Sequence, residues 1–317
     1  MNSGVARTDV RAAHPLRGFL FLVVATILWS GSAVFAKFLF NGKTFDTVIL
    51  SQMRSTLSFL LLGVWFAATR RSVFRVQPKD ILPLALIGGI GIGMTNFSYY
   101  YTVQASSVAT AILIQYTAPA LVTVYSMYIS HEEKIEPLKL FSLGAALAGC
   151  YVAVTGLRTG VVQLSEAILF SGACSSLGFA YLLIASKKIL RRYSNWTLLL
   201  YAFGFTALGW LFLSPPAAIL ARGYGWNEWG TLMLFAMCSV LVPYAFFSLG
   251  LNELSPTPVA ITMTLEPVVA IVMAFLFLGE QLSAIQSIGA LTVVLAVLVL
   301  QIKPGAGSKI GEVGVAD

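Results

Sequence analysis

A carboxylate and a proline stand side by side within a long apolar stretch near the end of the chain. Glu266 and Pro267 lie inside residues 255–280, which are long and apolar enough to form one membrane-spanning helix. A charge at the middle of a membrane costs about 3 kcal/mol or more, so this carboxylate must be satisfied or used. Pro267 also frees the backbone carbonyl of Met263, which lipid cannot satisfy. Both residues therefore predict a helix that faces a polar cavity inside the protein.

Three roles are open for Glu266. It carries a proton, it pairs with a cationic group of a bound solute, or it is a structural charge held by hydrogen bonds. Arg54 lies inside another apolar stretch and is the candidate counter-charge. The sequence does not show whether the two side chains meet.

Groups suited to enzymatic or metal chemistry are scarce at this depth. An intramembrane enzyme needs clustered acidic, histidine, serine or metal-binding side chains, and Glu266 and Arg54 are the only ionisable residues well inside apolar stretches. The cysteines lie in apolar stretches and the histidines lie far apart; these residues are Cys150, Cys174, Cys238, His14 and His131. The sequence therefore predicts no enzyme, no cofactor, no disulfide framework and no metal site.

The elements that position these residues are membrane helices. The chain has 317 residues, of which 58% are hydrophobic and 10% are charged, and its mean hydropathy of +0.84 excludes an ordinary soluble domain. At about 20 residues for each crossing, the sequence predicts an all-α membrane protein with ten spans and short cytoplasmic tails at 1–16 and 303–317. We number as spans 1 to 10 the stretches 17–40, 46–69, 80–102, 107–130, 137–156, 164–186, 195–214, 228–250, 256–278 and 283–302.

The basic residues indicate the topology. A net charge of +7 suggests a nucleic-acid partner at first sight, but Lys and Arg concentrate in alternate connections, such as 70–79 and 187–192. The intervening connections hold few basic residues, of which Arg222 is one. By the positive-inside rule both termini are cytoplasmic. We expect a multi-pass protein of the inner membrane whose partner is the lipid bilayer, with no nucleic-acid partner.

The chain also contains two related halves. A shift of 148 residues aligns 96–132 with 244–280 without a gap, and four positions are identical: Ser107 with Ser255, Pro119 with Pro267, Val124 with Val272 and Glu132 with Glu280. Because each half holds five spans, an odd number, the second half must enter the membrane in the opposite orientation. The sequence thus predicts two inverted five-helix repeats, 17–156 and 164–302, around a central cavity where the broken spans 4 and 9 meet.

Several polar and aromatic side chains lie deep in these spans and are the candidate substrate-binding residues. Gln115 precedes Pro119 by one helical turn and owns the carbonyl that this proline frees. Thr262 is one turn from Glu266 on the same helix face. The alternative for the aromatic residues is that they anchor the helices at the membrane surface or join helices together. The full candidate set is Trp29, Ser30, Asn96, Tyr99, Tyr100, Gln115, Tyr116, Tyr244, Thr262 and Glu266, with Pro119 and Pro267 as helix breaks and Arg54 as the candidate charge partner.

The order of these motifs resembles the drug/metabolite transporter superfamily, EamA type. The resemblance is carried in the second half by Tyr244 to Gly250, Leu254-Ser255-Pro256-Thr257-Pro258, Leu265-Glu266-Pro267 and Leu278-Gly279-Glu280. The first half is similar at Trp29-Ser30-Gly31, Arg54, Pro119 and Glu132, but it lacks the Leu-Gly before its glutamate. The resemblance implies a ten-helix bundle, a central cavity lined by spans 1, 3, 4, 6, 8 and 9, alternating access, and export of small metabolites such as amino acids.

The sequence and the resemblance together favour a secondary transporter that exports small, amino-acid-like or amphiphilic metabolites. Import of an organic acid or a sugar is the alternative, because topology does not fix the direction of net flux. A membrane scaffold without transport is the remote alternative. Proton coupling and homodimer formation stay open.

Overall fold

The computed structural model describes residues 14–41, 45–106, 108–131, 136–158, 165–278 and 283–302. These residues form helices joined by short connections and include no strand. The prediction of an all-α protein is confirmed. Ser107, Glu132, Glu280 and most of the two tails lie outside the described residues.

The helices follow the predicted spans closely. Spans 1 to 3 are Pro15–Asn41, Thr47–Thr69 and Pro78–Ala105; span 4 is Val108–Gln115 with Ala118–Val124 and Tyr125–Ile129; spans 5 to 8 are Pro137–Thr155, Glu166–Leu190, Asn195–Leu213 and Trp226–Glu253; span 9 is Pro256–Met263 with Leu265–Leu278; and span 10 is Ala284–Ile302. Short helices at Arg71–Phe74 and Pro216–Leu220 lie between spans. Within the described residues, nine helices are long and apolar enough to cross a membrane, and span 10 contains a shorter apolar helix, Ala284–Val299.

Local sequence explains where several spans begin and end. The Asp46 carboxylate accepts a 2.8 Å hydrogen bond from the backbone N–H of Ile49 and so caps the start of span 2. Ser194 caps span 7 in the same way through the N–H of Thr197. Span 5 stops at Gly156, whose φ of 58° is left-handed and therefore suits glycine.

The packing of the spans is symmetric: each contact between two spans has an equivalent contact when the first and second halves are exchanged. Span 1 packs on span 8 as span 3 packs on span 6, and span 1 packs on span 9 as span 4 packs on span 6. Spans 2 and 7, 4 and 9, and 5 and 10 pack on each other. Spans 5 and 10 approach so closely that a Cβ at Gly289 would overlap the backbone nitrogen of Ala153. Replacing each span by the one five places away leaves all these pairs unchanged, as two related halves require.

The helix breaks in spans 4 and 9 fall at equivalent positions. The first piece of span 4 ends at Gln115 and that of span 9 ends at Met263, which is 148 positions later. The helix then resumes at Ala118 and at Leu265. Each second piece carries its proline, Pro119 or Pro267, in its first turn, where the missing N–H costs no helical bond. The prolines therefore set where each break occurs.

Spans 3 and 8 share a second irregularity. Ile87–Met94 and Met237–Leu241 are π-helical, and the shift of 148 residues places the second segment inside the first. Such segments widen one turn of a helix and are common at functional sites. Both segments end less than one helical turn before a polar residue that lines the cavity, Asn96 in span 3 and Tyr244 in span 8.

Polar contacts tie the halves together at the two ends of span 2. Near its C-terminal end, the buried Asp80 carboxylate accepts hydrogen bonds of 2.8 Å from Arg192 and 2.7 Å from the Tyr193 hydroxyl. Burial raises the pKa of Tyr193, which keeps its hydroxyl protonated and able to donate. At the N-terminal end, Arg222 lies 3.1 Å from Asp46, and both side chains are partly exposed. The acidic residue is therefore buried in the contact at the C-terminal end of span 2 and exposed in the contact at the N-terminal end.

Candidate functional site

A small polar cavity lies where the spans of the two halves meet. Its volume is about 60 Å³. Spans 1, 2, 3, 4, 6, 8 and 9 contribute to its wall, through Trp29, Ser32, Ala33, Arg54, Thr95, Asn96, Tyr99, Tyr100, Gln115, Tyr116, Phe179, Tyr244 and Glu266. The six spans implied by the family resemblance are all represented. Span 2 joins them through Arg54.

Most of the candidate residues come together at this cavity. Eight of the ten line it, and the other two, Ser30 and Thr262, do not. The Ser30 hydroxyl instead donates a 2.9 Å hydrogen bond to the backbone carbonyl of Glu266. The Thr262 hydroxyl donates to the carbonyl of Pro258, within its own helix, and is fully buried. These two side chains satisfy the backbone of span 9 rather than reach the cavity.

Glu266 is held by the opposite half of the protein. Its Oε2 atom accepts a 2.7 Å hydrogen bond from the Tyr116 hydroxyl, which lies in the break of span 4. Because the first piece of span 4 ends at Gln115, Tyr116 sits in a turn and reaches across to span 9. A hydrogen bond to a carboxylate is stronger than one between neutral groups. The two helix breaks are thus joined by their side chains.

Arg54 lines the same cavity but does not pair with Glu266. Its Nη1 atom donates a 2.6 Å hydrogen bond to the Tyr100 hydroxyl, and the guanidinium carbon lies 5.0 Å from the centre of that ring. In the described chain the Arg54 guanidinium has no carboxylate at ion-pair distance, and its Nε–H has no acceptor. The side chain is 3% exposed. The cavity therefore holds one guanidinium and one carboxyl group, each hydrogen-bonded to a different tyrosine.

Aromatic rings form the remaining wall. The Trp29 and Tyr244 rings meet edge to face with centroids 5.1 Å apart, and the Trp29 indole N–H donates to the carbonyl of Ser239. Tyr99 and Tyr100 meet edge to face at 5.5 Å. The Asn96 amide lies 3.4 Å from the Tyr244 hydroxyl, and these two residues are equivalent positions of the two repeats. A wall of this kind suits the apolar part of a solute and leaves a few polar groups to orient it.

Sequence reasoning missed four lining residues. Ser32 and Ala33 lie about one turn beyond Trp29, and Thr95 directly precedes Asn96, so helix geometry around the candidates could have found them. Phe179 lies in span 6 in a run of small residues that gave no polar signal. Small and apolar residues line a cavity because of where their backbone lies, which no single residue type reveals.

The described residues include no group of three or more His, Cys, Asp or Glu side chains that could hold a metal ion. The cavity volume of about 60 Å³ accommodates a few water molecules and is well below the roughly 300 Å³ at which ligand pockets begin. A metabolite would therefore need the walls to move apart.

The comparisons with known proteins agree with this architecture. The model of the EamA-like transporter family matches residues 16–155 and 166–302, which are one half of the chain each. The chain belongs to this family. It is accordingly a multi-pass membrane transporter and not an enzyme, and its family works on small molecules in a lipid environment.

Several relatives of this EamA-like transporter have been curated. It is 28% identical over 66% of its length to an uncharacterized transporter of Archaeoglobus fulgidus, of which the match covers 74%. It is 20% identical to the uncharacterized inner membrane transporter YicL of Salmonella typhimurium over 90% of this chain and 95% of that protein. It is 24% identical to the threonine/homoserine exporter RhtA of Escherichia coli over 93% of this chain and 95% of that protein.

The fold also occurs in a known crystal structure. The two chains superpose with a TM-score of 0.71 at 19% identity, over 91% of this chain and 98% of the other. At this identity the likeness concerns the fold alone. The arrangement of the ten spans is therefore one that a solved protein also adopts.

Proposed function

We propose that this protein is a secondary transporter that exports small organic metabolites across the inner membrane by alternating access. The observation that carries the proposal is the cavity at mid-span, which broken helices from both halves line with polar and aromatic side chains. In this proposal 17–156 and 164–302 are inverted repeats that rock against each other. A solute binds between them and is released on the opposite side.

The closed cavity agrees with such a cycle. A space of about 60 Å³ corresponds to a state in which neither half has moved away to admit solute. Opening one end of the bundle would break the contacts of Asp80 with Arg192 and Tyr193, and opening the other would break Asp46 with Arg222. The π-helical turns in spans 3 and 8 supply places where these helices can bend.

The distribution of basic residues and the names of two relatives support the location and the direction of transport. The concentration of Lys and Arg in alternate connections supports a cytoplasmic position of both termini, by the positive-inside rule. The relative YicL is named an inner membrane transporter and the relative RhtA an exporter. We extend both properties to this chain as parts of the proposal, and we leave the individual substrate to experiment.

Efflux from loaded proteoliposomes tests the function. Vesicles containing the purified protein should release at least one solute of a broad metabolite panel faster than protein-free vesicles do. No solute moving faster than in the empty controls would refute transport of metabolites. In cells that overproduce the protein, labelled substrate should be lost; accumulation would favour import of an organic acid or a sugar instead.

Proton coupling is a separate part of the proposal. Glu266 is the carboxylate of the cavity, and the titratable groups around it are Tyr99, Tyr116, Tyr244 and Cys150, with Arg54 as the fixed charge. If Glu266 carries the proton, Glu266→Gln abolishes the dependence of flux on a pH gradient while binding of solute remains detectable. An unchanged dependence on the gradient would exclude this role.

A further inference from the structure

A second pocket lies at the end of the bundle where span 3 begins and span 6 connects to span 7. Its volume is about 550 Å³, which falls within the range of ligand pockets, roughly 300–1,000 Å³. Its wall carries three cations and one carboxylate, which are Arg75, Lys79, Arg192 and Asp80. The pocket therefore has an excess of positive charge, and the proposed transport cycle gives Arg75 and Lys79 no role.

The single carboxylate of this pocket is already satisfied. One oxygen of Asp80 accepts from Arg192 at 2.8 Å and the other from the Tyr193 hydroxyl at 2.7 Å, and the Asp80 side chain is only 4% exposed. Among the described residues, neither Arg75 nor Lys79 has a carboxylate at ion-pair distance. Both residues are exposed. These two cations are therefore available to an anion from outside the chain.

Arg192 adds further donors to the same pocket. Its Nη1 atom binds Asp80, but its side chain remains 61% exposed. A guanidinium group carries five N–H donors, so it can hold Asp80 and contact a second anion at the same time. Arginine binds phosphate through paired hydrogen bonds, and lysine binds it as a point charge. The wall of the pocket therefore fits a phosphate group.

The cations at the start of span 3 are not part of the repeated fold. Span 8 begins exactly 148 positions after span 3, at Trp226 and Pro78. Both helices carry an acidic residue in the first turn, which suits the positive end of a helix dipole, but only span 3 has basic residues there. The equivalent pairs are Arg75 with Gly223, Lys79 with Asn227 and Asp80 with Glu228. The helix start thus does not require these cations, which favours a role in binding.

Exposed apolar side chains border the pocket. Leu82 lies one helical turn after Lys79, on the same face of span 3, and is 65% exposed. Ile81 and Phe74 are also exposed. In a membrane protein such side chains contact lipid, so the pocket lies at the border between hydrocarbon and water. An anion whose acyl chains lie in the membrane can reach this position and place its phosphate in the pocket.

We propose that this pocket binds the phosphate of an anionic phospholipid, with Arg75, Lys79 and Arg192 as the residues that contact it. Basic pockets between membrane helices are a common form of site for lipid headgroups. Because the wall comes from both halves of the chain, the bound lipid joins span 3 to the connection that follows span 6. The inference goes beyond the proposed function, since it concerns the surrounding membrane rather than the transported solute, and its test requires no transport.

Binding of two lipids that differ in headgroup charge tests the site. Dioleoyl phosphatidylglycerol is anionic, and dioleoyl phosphatidylcholine has the same acyl chains but no net charge. The purified protein is titrated with each lipid in detergent, bound lipid is counted by native mass spectrometry, and the midpoint of thermal unfolding is recorded alongside. We expect phosphatidylglycerol to bind about tenfold more tightly or better, and to raise the midpoint further.

Two double variants with the same change of charge locate the site. Arg75→Gln with Lys79→Gln should reduce the preference for phosphatidylglycerol about tenfold. Arg70→Gln with Arg71→Gln removes the same charge from the same connection, but these residues do not line the pocket, and the preference should remain. Arg75→Lys with Lys79→Arg keeps both charges and should keep most of the preference. Arg192 stays unchanged in all variants, because it also takes part in the contact between the halves.

Three results would each overturn the inference. Equal binding of the two lipids would show that the pocket does not select an anionic headgroup. An equal loss of preference in the variant of Arg70 and Arg71 would assign the effect to the general charge of the surface. Inorganic phosphate and glycerol 1-phosphate, at matched ionic strength, are the soluble probes and should bind at least about tenfold more weakly than the lipid. Displacement of phosphatidylglycerol by either probe at equal concentration would make this a site for a soluble phosphate instead.

Discussion

The breaks in spans 4 and 9 share one backbone design but carry different chemistry. Their first pieces end at equivalent positions, and each resumes around a proline. The equivalent of Tyr116 is Thr264, which donates to the carbonyl of Ile261 in its own helix, and the equivalent of Glu266 is Ala118, which is fully buried. Span 4 thus supplies the hydrogen-bond donor and span 9 the acceptor. The two halves therefore share one backbone architecture and contribute different polar groups to the site.

Removing the charge of span 9 should have the largest effect. Glu266→Gln keeps the shape of the side chain and an oxygen that can accept from Tyr116, so the fold is retained. It removes the carboxyl group that lines the cavity, and we expect transport to fall about a hundredfold or more, equivalent to about 3 kcal/mol. Initial rates in proteoliposomes measure this change. Glu253→Gln, at the end of span 8, is the control and should transport normally; equal losses in both variants would contradict a special role for Glu266.

Removing the donor of span 4 should have the next largest effect. Tyr116→Phe leaves the Glu266 carboxylate without its hydrogen bond, which is worth about 1.5–3 kcal/mol, and we expect transport to fall about tenfold or more. The repeat offers a matched control at the equivalent position. Thr264→Val removes a hydroxyl that serves only its own helix and should change transport by less than about threefold. Similar losses in the two variants would show that the hydroxyl groups at the two breaks do not have different roles.

Removing either proline tests whether the two helix breaks have the same structural role. Pro119→Ala and Pro267→Ala each allow a more regular helix and shift the polar residues at the break, so we expect each to reduce transport by about tenfold without lowering thermal stability. Pro137→Ala is the control, because Pro137 lies in the first turn of the unbroken span 5. Losses that differ by more than about tenfold between the two proline variants would show that only one break matters.

The contact between the equivalent residues Asn96 and Tyr244 should matter least. Its 3.4 Å length indicates a weak hydrogen bond. Tyr244→Phe should therefore lower the midpoint of thermal unfolding by only about 2 °C and transport by less than about threefold. Tyr101→Phe, on the exposed side of span 3, is the control. A loss larger than that of Tyr116→Phe would reverse the order proposed here and move the centre of the site to span 8.

The sequence predicted the backbone of this site better than its contacts. Helix lengths, the breaks at Pro119 and Pro267 and the equivalence of the halves all follow from hydrophobic periodicity and from the missing proline N–H. The pairing of Arg54 with Tyr100, rather than with Glu266, depends on how spans 2 and 3 rotate about their axes, which one sequence does not reveal. Ser30 and Thr262 were expected at the cavity for the same reason: they lie at the right depth, but their side chains turn to the backbone of span 9.

The outer surface of the bundle also follows from the sequence, whereas the cavity wall does not. Large apolar side chains such as Phe170, Phe212 and Val64 lie exposed on the outside of the bundle, as the hydropathy of their spans predicts for contact with lipid. Hydropathy alone could not separate these residues from Phe179, which is equally apolar but lines the cavity. Packing between the halves makes that distinction.

In the proposed function, the cavity between the two helix breaks lies on the transport pathway. Ser32→Cys, in a protein whose native cysteines Cys150, Cys174 and Cys238 are replaced, puts a thiol of nearly the same size on the cavity wall. Ser58→Cys is the control, because Ser58 is fully buried within span 2 and does not line the cavity. We predict that a membrane-impermeant thiol reagent modifies the Ser32→Cys variant from either face of oriented membrane vesicles, and that a transported solute slows the reaction from both. A reaction from neither face, or one that saturating solute does not slow, would show that the cavity is not on the transport pathway.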